Sequence, residues 1–362
     1  MPTDFMPGRK VRTLIVDDSN FVRTMLRAGL SQDPRIEVIG FAADGIEALA
    51  KIQSLKPDVV TLDMEMPRLN GMGVLEHVVG KAPVSFVVVS TLTKAGAAVT
   101  LEALQKGAFD YVTKPKAGEL ATLPHFKSKL VERVLAAARS KGRTRNVIQK
   151  AMSAAPKLPP CAERGWVVAI GISCGGPQTL TQMLPTFPSD FVPIVITQHM
   201  PYPFTSTFAA GLDNICAANV KEAADGDKLE RGLILIARGT HHLRVMRRGV
   251  DLRVHLDDGP KESLHKPSVD VMFSSVARSC GPRSIGVVMT GMGEDGSEGI
   301  VELHRTGAWT IAQDQQTSLV YGMPKAAVAT GCVDHQLPLS KIPEGIVTLM
   351  KRGVRQAAHA EG

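Results

Sequence analysis

Serine, histidine and aspartate residues follow three separate apolar segments in the second half of the chain. Ser173 lies in residues 171–175, which read G-x-S-x-G at the end of WVVAIGIS, His199 ends VPIVITQHM, and Asp295 follows SIGVVMT. A nucleophilic serine needs a base, and the base needs a group that orients it. Because parallel strands present their carboxyl ends at one sheet edge, the sequence predicts a hydrolytic triad there.

Each of these three residues also has a structural explanation. A glycine-rich turn between strand and helix serves packing in many α/β proteins, and a lone histidine is commonly a hydrogen-bonded core residue. Asp295 precedes a predicted helix at 297–304 and is placed to cap it. The chain order Ser, His, Asp differs from that of α/β-hydrolases, so the pentapeptide by itself does not assign a family.

The first half of the chain carries a second set of chemical groups at strand ends. They are Asp17 and Asp18 after the first apolar segment, Asp63 at the end of the third, Ser90 and Thr91 at the end of the fourth, and Lys114 after the fifth. Three converging carboxylates repel one another unless a cation lies among them, and hard oxygen ligands favour Mg²⁺. A hydroxyl and a lysine opposite them can hold the oxygens of a transferred phosphoryl group.

Alternating strand and helix patterns position both sets of groups. In the first half, apolar segments at 11–16, 36–41, 59–62, 84–89 and 111–112 are separated by amphipathic segments such as 21–30 and 96–106. Five βα units in alternation predict a parallel sheet with helices on both faces. The second half starts a new series of βα units, which predicts a second α/β domain.

Length and composition agree with two soluble globular domains. The chain has 362 residues, of which 44% are hydrophobic, and we find in it neither an apolar run long enough to cross a bilayer nor an apolar signal core at the N-terminus. We expect a cytoplasmic protein. The five cysteines are odd in number, widely spaced and without a C-x-x-C pair, which argues against disulfides and a zinc site.

Part of the net charge of +7 comes from one basic stretch of the chain. Residues 139–164 form a basic stretch with alanine, serine and three prolines, typical of a linker. We therefore predict a first domain at 9–134, a linker at 135–164 and a second domain at 165–355. The linker arginines and lysines are interpreted as a solvated hinge, with no nucleic-acid partner, since the second half is too long for a helix-turn-helix unit and repeats βα patterning.

Residues 11–134 resemble a response-regulator receiver domain, through LIVDDS, VVTLDMEMPRLNG, VVVST and GAFDYVTKP. The resemblance implies a flavodoxin-like (βα)5 fold, phosphorylated by a histidine kinase. It also implies site roles: Asp63 as phosphoacceptor, Asp17, Asp18, Asp63 and the Glu65 carbonyl as Mg²⁺ ligands, Ser90 and Lys114 as phosphoryl contacts, and Tyr111 as the switch residue.

Residues 165–352 resemble the catalytic domain of chemotaxis receptor methylesterases, the CheB family. The matching segments are QHMPYPFTSTFAAGLD, VKEAADGD, HKPSVDVMFSSVA, TGMGEDGSEG and AQDQQTSLVYGMPKAA. The resemblance implies a doubly wound, mainly parallel α/β domain that needs no cofactor. It implies hydrolysis of γ-glutamyl methyl esters on the cytoplasmic domains of chemoreceptors, with release of methanol and with receptor glutamines as further substrates for deamidation.

Within that family scheme Ser173 is the nucleophile, His199 the base and Asp295 the group that orients the base. Backbone amides near Cys174 and Met292 are the expected oxyanion hole. We also expect the receiver to cover the hydrolase site and phosphorylation of Asp63 to relieve that block, with Ser90 and Tyr111 reporting the change.

Two alternatives remain at this point. Cys174 stands where the family usually has threonine, which leaves open a catalytically weak, phospho-regulated binding protein. Residues 291–296 also read G-x-G-x-x-G with Asp314 further on, a dinucleotide-binding pattern. That second interpretation is disfavoured because it leaves Ser173 and His199 without a role. His241 and His242 are interpreted as non-ligands, because neighbours on a strand point to opposite faces.

Overall fold

A computed structural model describes residues 9–115, 123–140, 152, 157–259 and 265–355. The chain divides into two compact units, Met1–Asn146 and Val147–Gly362, which are called here the receiver unit and the second unit. Each is described by itself. Within the described ranges, no helix combines the length and the apolar character that a membrane span requires.

The receiver unit is a five-stranded parallel sheet in the order β2-β1-β3-β4-β5, with helices between its strands. Its strands are β1 (Val11–Val16), β2 (Ile36–Ala42), β3 (Val59–Asp63), β4 (Ser85–Ser90) and β5 (Asp110–Thr113), and its helices are α1 (Asn20–Leu30), α2 (Gly45–Leu55), α3 (Gly71–Val78), α4 (Lys94–Lys106) and α5 (Leu123–Ser140). The flavodoxin-like fold predicted from the sequence is confirmed.

Local sequence explains why these elements start where they do. β3 and β4 are buried along their whole length, as expected for central strands of a parallel sheet that is covered on both faces. Ser19, Asp44, Asn70 and Thr93 each cap the helix that follows a strand, with a side-chain oxygen accepting a backbone N–H of the first turn. Two of these helices, α1 and α3, therefore begin just after the loops that follow Asp17 and Asp63.

The second unit is built on a seven-stranded parallel sheet in the order β14-β13-β12-β6-β7-β9-β8, with β10 and β11 as a separate antiparallel hairpin. Its strands are β6 (Val167–Ile172), β7 (Ile194–Gln198), β8 (Asn219–Glu222), β9 (Leu233–Ile236), β10 (His242–Arg248), β11 (Asp251–Asp257), β12 (Ser284–Val288), β13 (Trp309–Gln313) and β14 (His335–Leu337). Its helices are α6 (Gly176–Met183), α7 (Phe204–Asp213), α8 (Val269–Cys280), α9 (Ser297–Arg305), α10 (Met323–Ala329) and α11 (Ile342–Arg352).

The strand order places β6 between β12 and β7 in the middle of this sheet. The chain continues from β6 to β7 on one side and reaches β12 on the other only after the β10–β11 hairpin and α8. The crevice at such a switch in strand order, beyond the carboxyl ends, is where parallel α/β sheets bind their ligands. The doubly wound, parallel fold predicted for this half is confirmed.

The predicted linker at 135–164 overlaps a helix at its start, because α5 continues through Ser140. Most of the remainder, residues 141–151 and 153–156, lies outside the described residues. The predicted domain boundaries at 9–134, 135–164 and 165–355 therefore stay a prediction.

Candidate functional site

The three predicted triad residues follow three adjacent strands of the second unit. Ser173 comes directly after β6 and His199 directly after β7, while Asp295 lies in the loop between β12 and α9. The Ser173 amide donates to the Thr290 carbonyl at 3.0 Å and the His199 amide to the Ile172 carbonyl at 3.1 Å, so the strand ends are tied together. The sheet thus brings the predicted nucleophile, base and orienting acid to one edge.

His199 and Asp295 form a direct hydrogen bond, with His199 Nε2 2.7 Å from Asp295 Oδ2. Both side chains are largely, though not fully, buried, at 9% and 8% exposure. Since the carboxylate accepts, Nε2 carries the proton and Nδ1 is the nitrogen left to act as a base. Ser173 is 4% exposed, and its hydroxyl has no hydrogen-bond partner in the part of the chain that the structure describes.

Asp295 accepts more hydrogen bonds than the predicted triad required. Besides His199, its oxygens accept from Ser268 Oγ at 2.9 Å, Val269 N at 2.8 Å and Asp270 N at 3.0 Å. Burial alone would raise the pKa of this carboxyl, but the hydrogen bond and charge of His199 and the amides of Asp270 and Val269 outweigh burial and lower it. Asp295 is therefore held ionised.

The alternative interpretation of Asp295 as a cap for the helix at 297–304 is wrong. That helix, α9, begins after Gly296, which has a φ of 100° and provides no side-chain cap. The Asp295 side chain points instead to the start of α8, where it accepts hydrogen bonds from the amides of Val269 and Asp270. Gly296 lies between Asp295 and α9, and its left-handed conformation turns the chain there. The Asp295 side chain therefore does not reach the first amides of α9.

A second histidine lies against His199 that sequence reasoning did not single out. The rings of His199 and His265 are stacked, with centroids 4.3 Å apart and an interplanar angle of 17°. His265 opens the segment HKPS, which the sequence analysis cited only as part of a family motif. The stacking restricts the ring plane of His199 while Asp295 fixes its tautomer.

The turn that carries Ser173 is held from two sides. Gln198 Nε2 donates to the Ser173 carbonyl at 3.0 Å, and Thr290 Oγ1 donates to the Cys174 carbonyl at 2.9 Å. Gly175 has a φ of 75°, and a Cβ there would lie 2.5 Å from Leu319 Cδ1. Glycine is required at this position both for conformation and for space.

The amides predicted for the oxyanion hole are available. In the described ranges, neither Cys174 N nor Met292 N donates a hydrogen bond to a backbone or side-chain acceptor. The two loops meet, because a Cβ placed on Gly291 would lie 2.9 Å from Ser173 Cβ. The assignment of Cys174 and Met292 to an oxyanion hole stays a prediction that this geometry favours.

The structure does not support the dinucleotide-binding alternative, because residues that it requires make other contacts. Asp314, the residue it needs for a ribose hydroxyl, accepts from Thr317 N at 2.9 Å and from Thr317 Oγ1 at 2.6 Å. These bonds close the turn after β13. The Gly291 amide is also engaged, since it donates to the Val320 carbonyl at 3.0 Å and is not free to bind a phosphate.

The acidic cluster of the receiver unit forms at the carboxyl ends of β1 and β3. Ligand oxygens of Asp17, Asp18 and Asp63 lie within 4.8 Å of one another. Lys114 Nζ lies 2.9 Å from Asp17 Oδ2 and 2.7 Å from Asp63 Oδ2. The sheet therefore assembles three carboxylates and one ammonium, as the sequence predicted.

Charge compensation in this cluster is incomplete. Burial raises the pKa of Asp17, Lys114 lowers it by hydrogen bond and charge, Asp63 raises it again, and the net direction is upward. Asp17 Oδ2 is buried, and the ammonium beside it, that of Lys114, is shared with Asp63. A cluster of three carboxylates with one ammonium keeps an excess of negative charge, which suits a hard divalent cation. The exposed Glu65 lies two residues beyond Asp63, and its amide is 3.4 Å from Asp63 Oδ1.

Ser90 and Tyr111 are buried in the receiver unit. Ser90 Oγ accepts from Thr100 Oγ1 at 2.7 Å and lies 3.2 Å from the Gly96 carbonyl, so it is engaged with α4, whereas Thr91 is exposed. Tyr111 is 9% exposed, and burial, followed by the charge of Asp110, raises the pKa of its hydroxyl. Their phosphoryl-contact and switch roles stay predictions.

Comparison with known proteins places both units. The family model for CheB methylesterase matches residues 168–346, and that for the response regulator receiver domain matches residues 13–123. A protein-glutamate methylesterase/protein-glutamine glutaminase of Pyrococcus abyssi is 42% identical over 346 residues, covering 94% of each chain. A protein of the same name from Caulobacter vibrioides is 44% identical over 341 residues, covering 94% of this chain and 98% of its own.

A solved structure resembles the second unit. The Thermotoga maritima CheB methylesterase catalytic domain is 38% identical and superposes with a TM-score of 0.50, covering 51% of this chain and 98% of that chain.

Proposed function

The chain belongs to the CheB methylesterase family with a receiver domain, and on this premise we propose that it is a phosphorylation-activated protein-glutamate methylesterase. Its substrates are γ-glutamyl methyl esters on the cytoplasmic domains of chemoreceptors, and receptor glutamines are further substrates for deamidation. The observation that supports this best is the 2.7 Å bond between His199 and Asp295 beside Ser173, at the ends of three adjacent strands.

In the first half-reaction Ser173 Oγ attacks the ester carbonyl carbon while His199 Nδ1 takes the hydroxyl proton. Asp295 stabilises the imidazolium through Nε2, and the amides of Cys174 and Met292 receive the negative charge on the carbonyl oxygen. The C–O bond to the methoxy group then breaks, and His199 returns the proton so that methanol leaves. Ser173 is left as an acyl ester of the glutamyl side chain.

In the second half-reaction water attacks the acyl carbon and gives a proton to His199. The bond to Ser173 Oγ breaks, the serine recovers its proton, and glutamate is released. A glutamine side chain follows the same path with ammonia as the leaving group. Because every step uses groups already present at the sheet edge, the esterase site requires no cofactor.

In the receiver unit, Asp63 is proposed to accept a phosphoryl group from a histidine kinase. Asp17, Asp18, Asp63 and the Glu65 carbonyl would hold Mg²⁺, which neutralises charge on the phosphoryl oxygens when bound. Lys114, already in contact with Asp63, and Ser90 would contact those oxygens. Phosphorylation then relieves inhibition of the hydrolase by the receiver, with Tyr111 as part of the switch.

The test is methanol release from receptor membranes that carry labelled methyl esters, with and without a small-molecule phosphodonor. We expect release that the phosphodonor stimulates, and a loss of turnover of about 10³–10⁶-fold in Ser173→Ala. Ser206→Ala is a matched control, since Ser206 donates to the Pro203 carbonyl in α7 and plays no part in the proposed reaction.

Asp63→Ala is the regulatory counterpart and is expected to hydrolyse at the same rate with and without phosphodonor. Stimulation that survives in this variant would contradict the regulatory proposal. Absence of release under all conditions, with the substrate shown competent by a known methylesterase, would favour a phosphorylatable binding protein instead.

A further inference from the structure

The catalytic carboxylate lies at the N-terminus of α8. Of the four groups that donate to Asp295, three come from this terminus: Ser268 Oγ, Val269 N and Asp270 N. Helix N-termini carry free amides and the positive end of the helix dipole, which together favour an anion. Here the anion is the side chain that orients His199, so the start of α8 determines where that carboxylate sits.

Ser268 is the one donor among the three that uses a side chain. It is 3% exposed and is the N-cap residue of α8, with Oγ accepting from Val271 N at 3.4 Å while its hydroxyl donates to Asp295 Oδ1. The two bonds use the hydroxyl in opposite senses, since an amide can only donate and a carboxylate can only accept. The hydroxyl therefore has one orientation, and it links the helix cap to Asp295.

His242 fixes Ser268 from the opposite side. The Ser268 amide donates to His242 Nδ1 at 3.2 Å, and His242 is fully buried at the start of β10. Burial, followed by the positive charge of Lys266, lowers the pKa of His242, so the ring is neutral and Nδ1 is free to accept. A Cβ on Gly259 would lie 2.3 Å from His242 Cδ2, which shows how closely the chain after β11 packs on this ring.

These contacts form a continuous series of hydrogen bonds from His242 through Ser268 and Asp295 to His199. We propose that Ser268 is a positioning residue of the hydrolase, which sets the orientation of Asp295 and thereby of the His199 ring, and that His242 holds Ser268 in place. The inference rests on the proposed methylesterase function and adds residues to it. Neither Ser268 nor His242 touches the reacting atoms.

The experiment compares Ser268→Ala with Ser275→Ala in the full-length protein. Ser275 is a fair control because it lies in the same helix, is 4% exposed, and accepts from Val245 N of β10 at 2.9 Å, yet it does not contact Asp295. We expect Ser268→Ala to lower kcat about 10–100-fold with KM changed less than about twofold, because misplacement of a catalytic group affects the chemical step. Ser275→Ala is expected to keep kcat within about twofold, since it affects stability alone.

Conservative variants separate positioning from folding. Ser268→Thr retains the hydroxyl and is expected to recover kcat to within about threefold of the unmodified protein. His242→Asn, which can place an acceptor near the position of Nδ1, is expected to retain more activity than His242→Leu. Equal losses in Ser268→Ala and Ser268→Thr, or in Ser268→Ala and Ser275→Ala, would overturn the proposal.

A spectroscopic readout keeps this test independent of turnover. The proton shared by His199 and Asp295 is expected to give a downfield proton NMR resonance, assigned by its loss in His199→Gln. We expect that resonance to move in Ser268→Ala and to stay in Ser275→Ala, and an unmoved resonance in Ser268→Ala would count against the positioning role. If the unmodified protein releases no methanol, the proposed function fails, while the NMR comparison still decides whether Ser268 orients the pair.

Discussion

Each unit holds an aspartate in the loop that follows a parallel strand, but the two units compensate its charge in different ways. Asp17 in the receiver unit accepts from one amide, that of Ser19, and has one ammonium, Lys114, which it shares with Asp63, and burial raises its pKa. Asp295 in the second unit has His199, one hydroxyl and two amides, and its pKa is lowered. Similar strand-end positions thus produce opposite electrostatic states.

The difference follows from what each site is proposed to do. In a carboxylate cluster whose negative charge is only partly neutralised, binding of a cation lowers the free energy, and the bound cation favours a phosphoryl group. A carboxylate that must stay ionised through a catalytic cycle is better served by fixed dipoles, because these do not dissociate or titrate. Partial neutralisation of the carboxylates suits a site that binds and releases a cation and a phosphoryl group. Full neutralisation suits a carboxylate that stays ionised throughout catalysis.

Of the variants that test this comparison, the one with the largest expected effect changes Asp295. Asp295→Asn is expected to lower kcat about 10³–10⁴-fold, because an amide can present its NH₂ to His199 and favour the wrong tautomer. Methanol release measured beside Asp17→Asn without phosphodonor checks this, since Asp17 belongs to the other unit. If kcat fell less than about tenfold in Asp295→Asn, the proposal that catalysis needs an ionised carboxylate at this position would be contradicted.

The two substitutions are expected to affect the free energy of unfolding differently. Asp295→Asn is expected to destabilise the second unit by about 1–3 kcal/mol, because it removes the anion at the start of α8. Asp17→Asn is expected to leave the Mg²⁺-free receiver unit unchanged or stabilise it by about 1 kcal/mol, because a raised pKa means that the ionised form opposes folding.

The two units can be monitored separately in these unfolding experiments. Both tryptophans, Trp166 and Trp309, lie in the second unit, so their fluorescence in urea reports that unit alone. Hydrogen exchange of peptides from β1 reports the receiver unit. Destabilisation by both variants would show that the two sites are compensated alike.

The smallest expected effect is on stability and concerns Asp270, a residue of the first turn of α8 whose amide donates to Asp295. Burial, together with the charge of Asp295, raises the pKa of Asp270 to about 7. A carboxyl whose folded pKa is raised contributes stability below its unfolded pKa of about 4 and loses it as pH rises through the folded value. Asp270→Asn should therefore gain stability over the unmodified second unit as the pH rises, with an advantage that is about 1–2 kcal/mol larger at pH 8 than at pH 5.

The tryptophan-monitored urea midpoint at the two pH values checks this prediction. Asp213→Asn is a suitable control, because Asp213 does not contact the His199–Asp295 pair and its Oδ1 accepts from Val220 N of β8 at 2.7 Å. Equal midpoints for Asp270→Asn and the unmodified protein at both pH values would mean that Asp270 does not retain its proton near neutrality.

Sequence reasoning succeeded for features that depend on neighbouring residues. The apolar segments around Asp17, Asp63, Ser173 and His199 predicted the strands, and their order predicted which residues would meet at each sheet edge. These inferences hold because parallel βα units place strand ends together whatever the details of packing. The family resemblance added roles that no local pattern contained.

Contacts between distant segments could not be predicted in the same way. His242 precedes Ser268 by 26 residues, and Ser268 precedes Asp295 by 27 residues. The β10–β11 hairpin lies within the first interval, and α8 and β12 lie within the second. The alternative interpretation had the Asp295 side chain cap α9, the next helix along the chain, but it accepts from the first amides of α8 instead. His265 was present in a cited motif, but its stacking on His199 depends on how that loop folds back.

The sequence by itself determined the two α/β units, the acidic cluster and the three candidate triad residues, since each is set by strand patterning and by the residue that ends a strand. Only the tertiary structure decided how the buried charges are compensated. That outcome depends on which amides and side chains from remote elements reach a carboxylate, and in a low-dielectric interior those few contacts decide whether it keeps its charge.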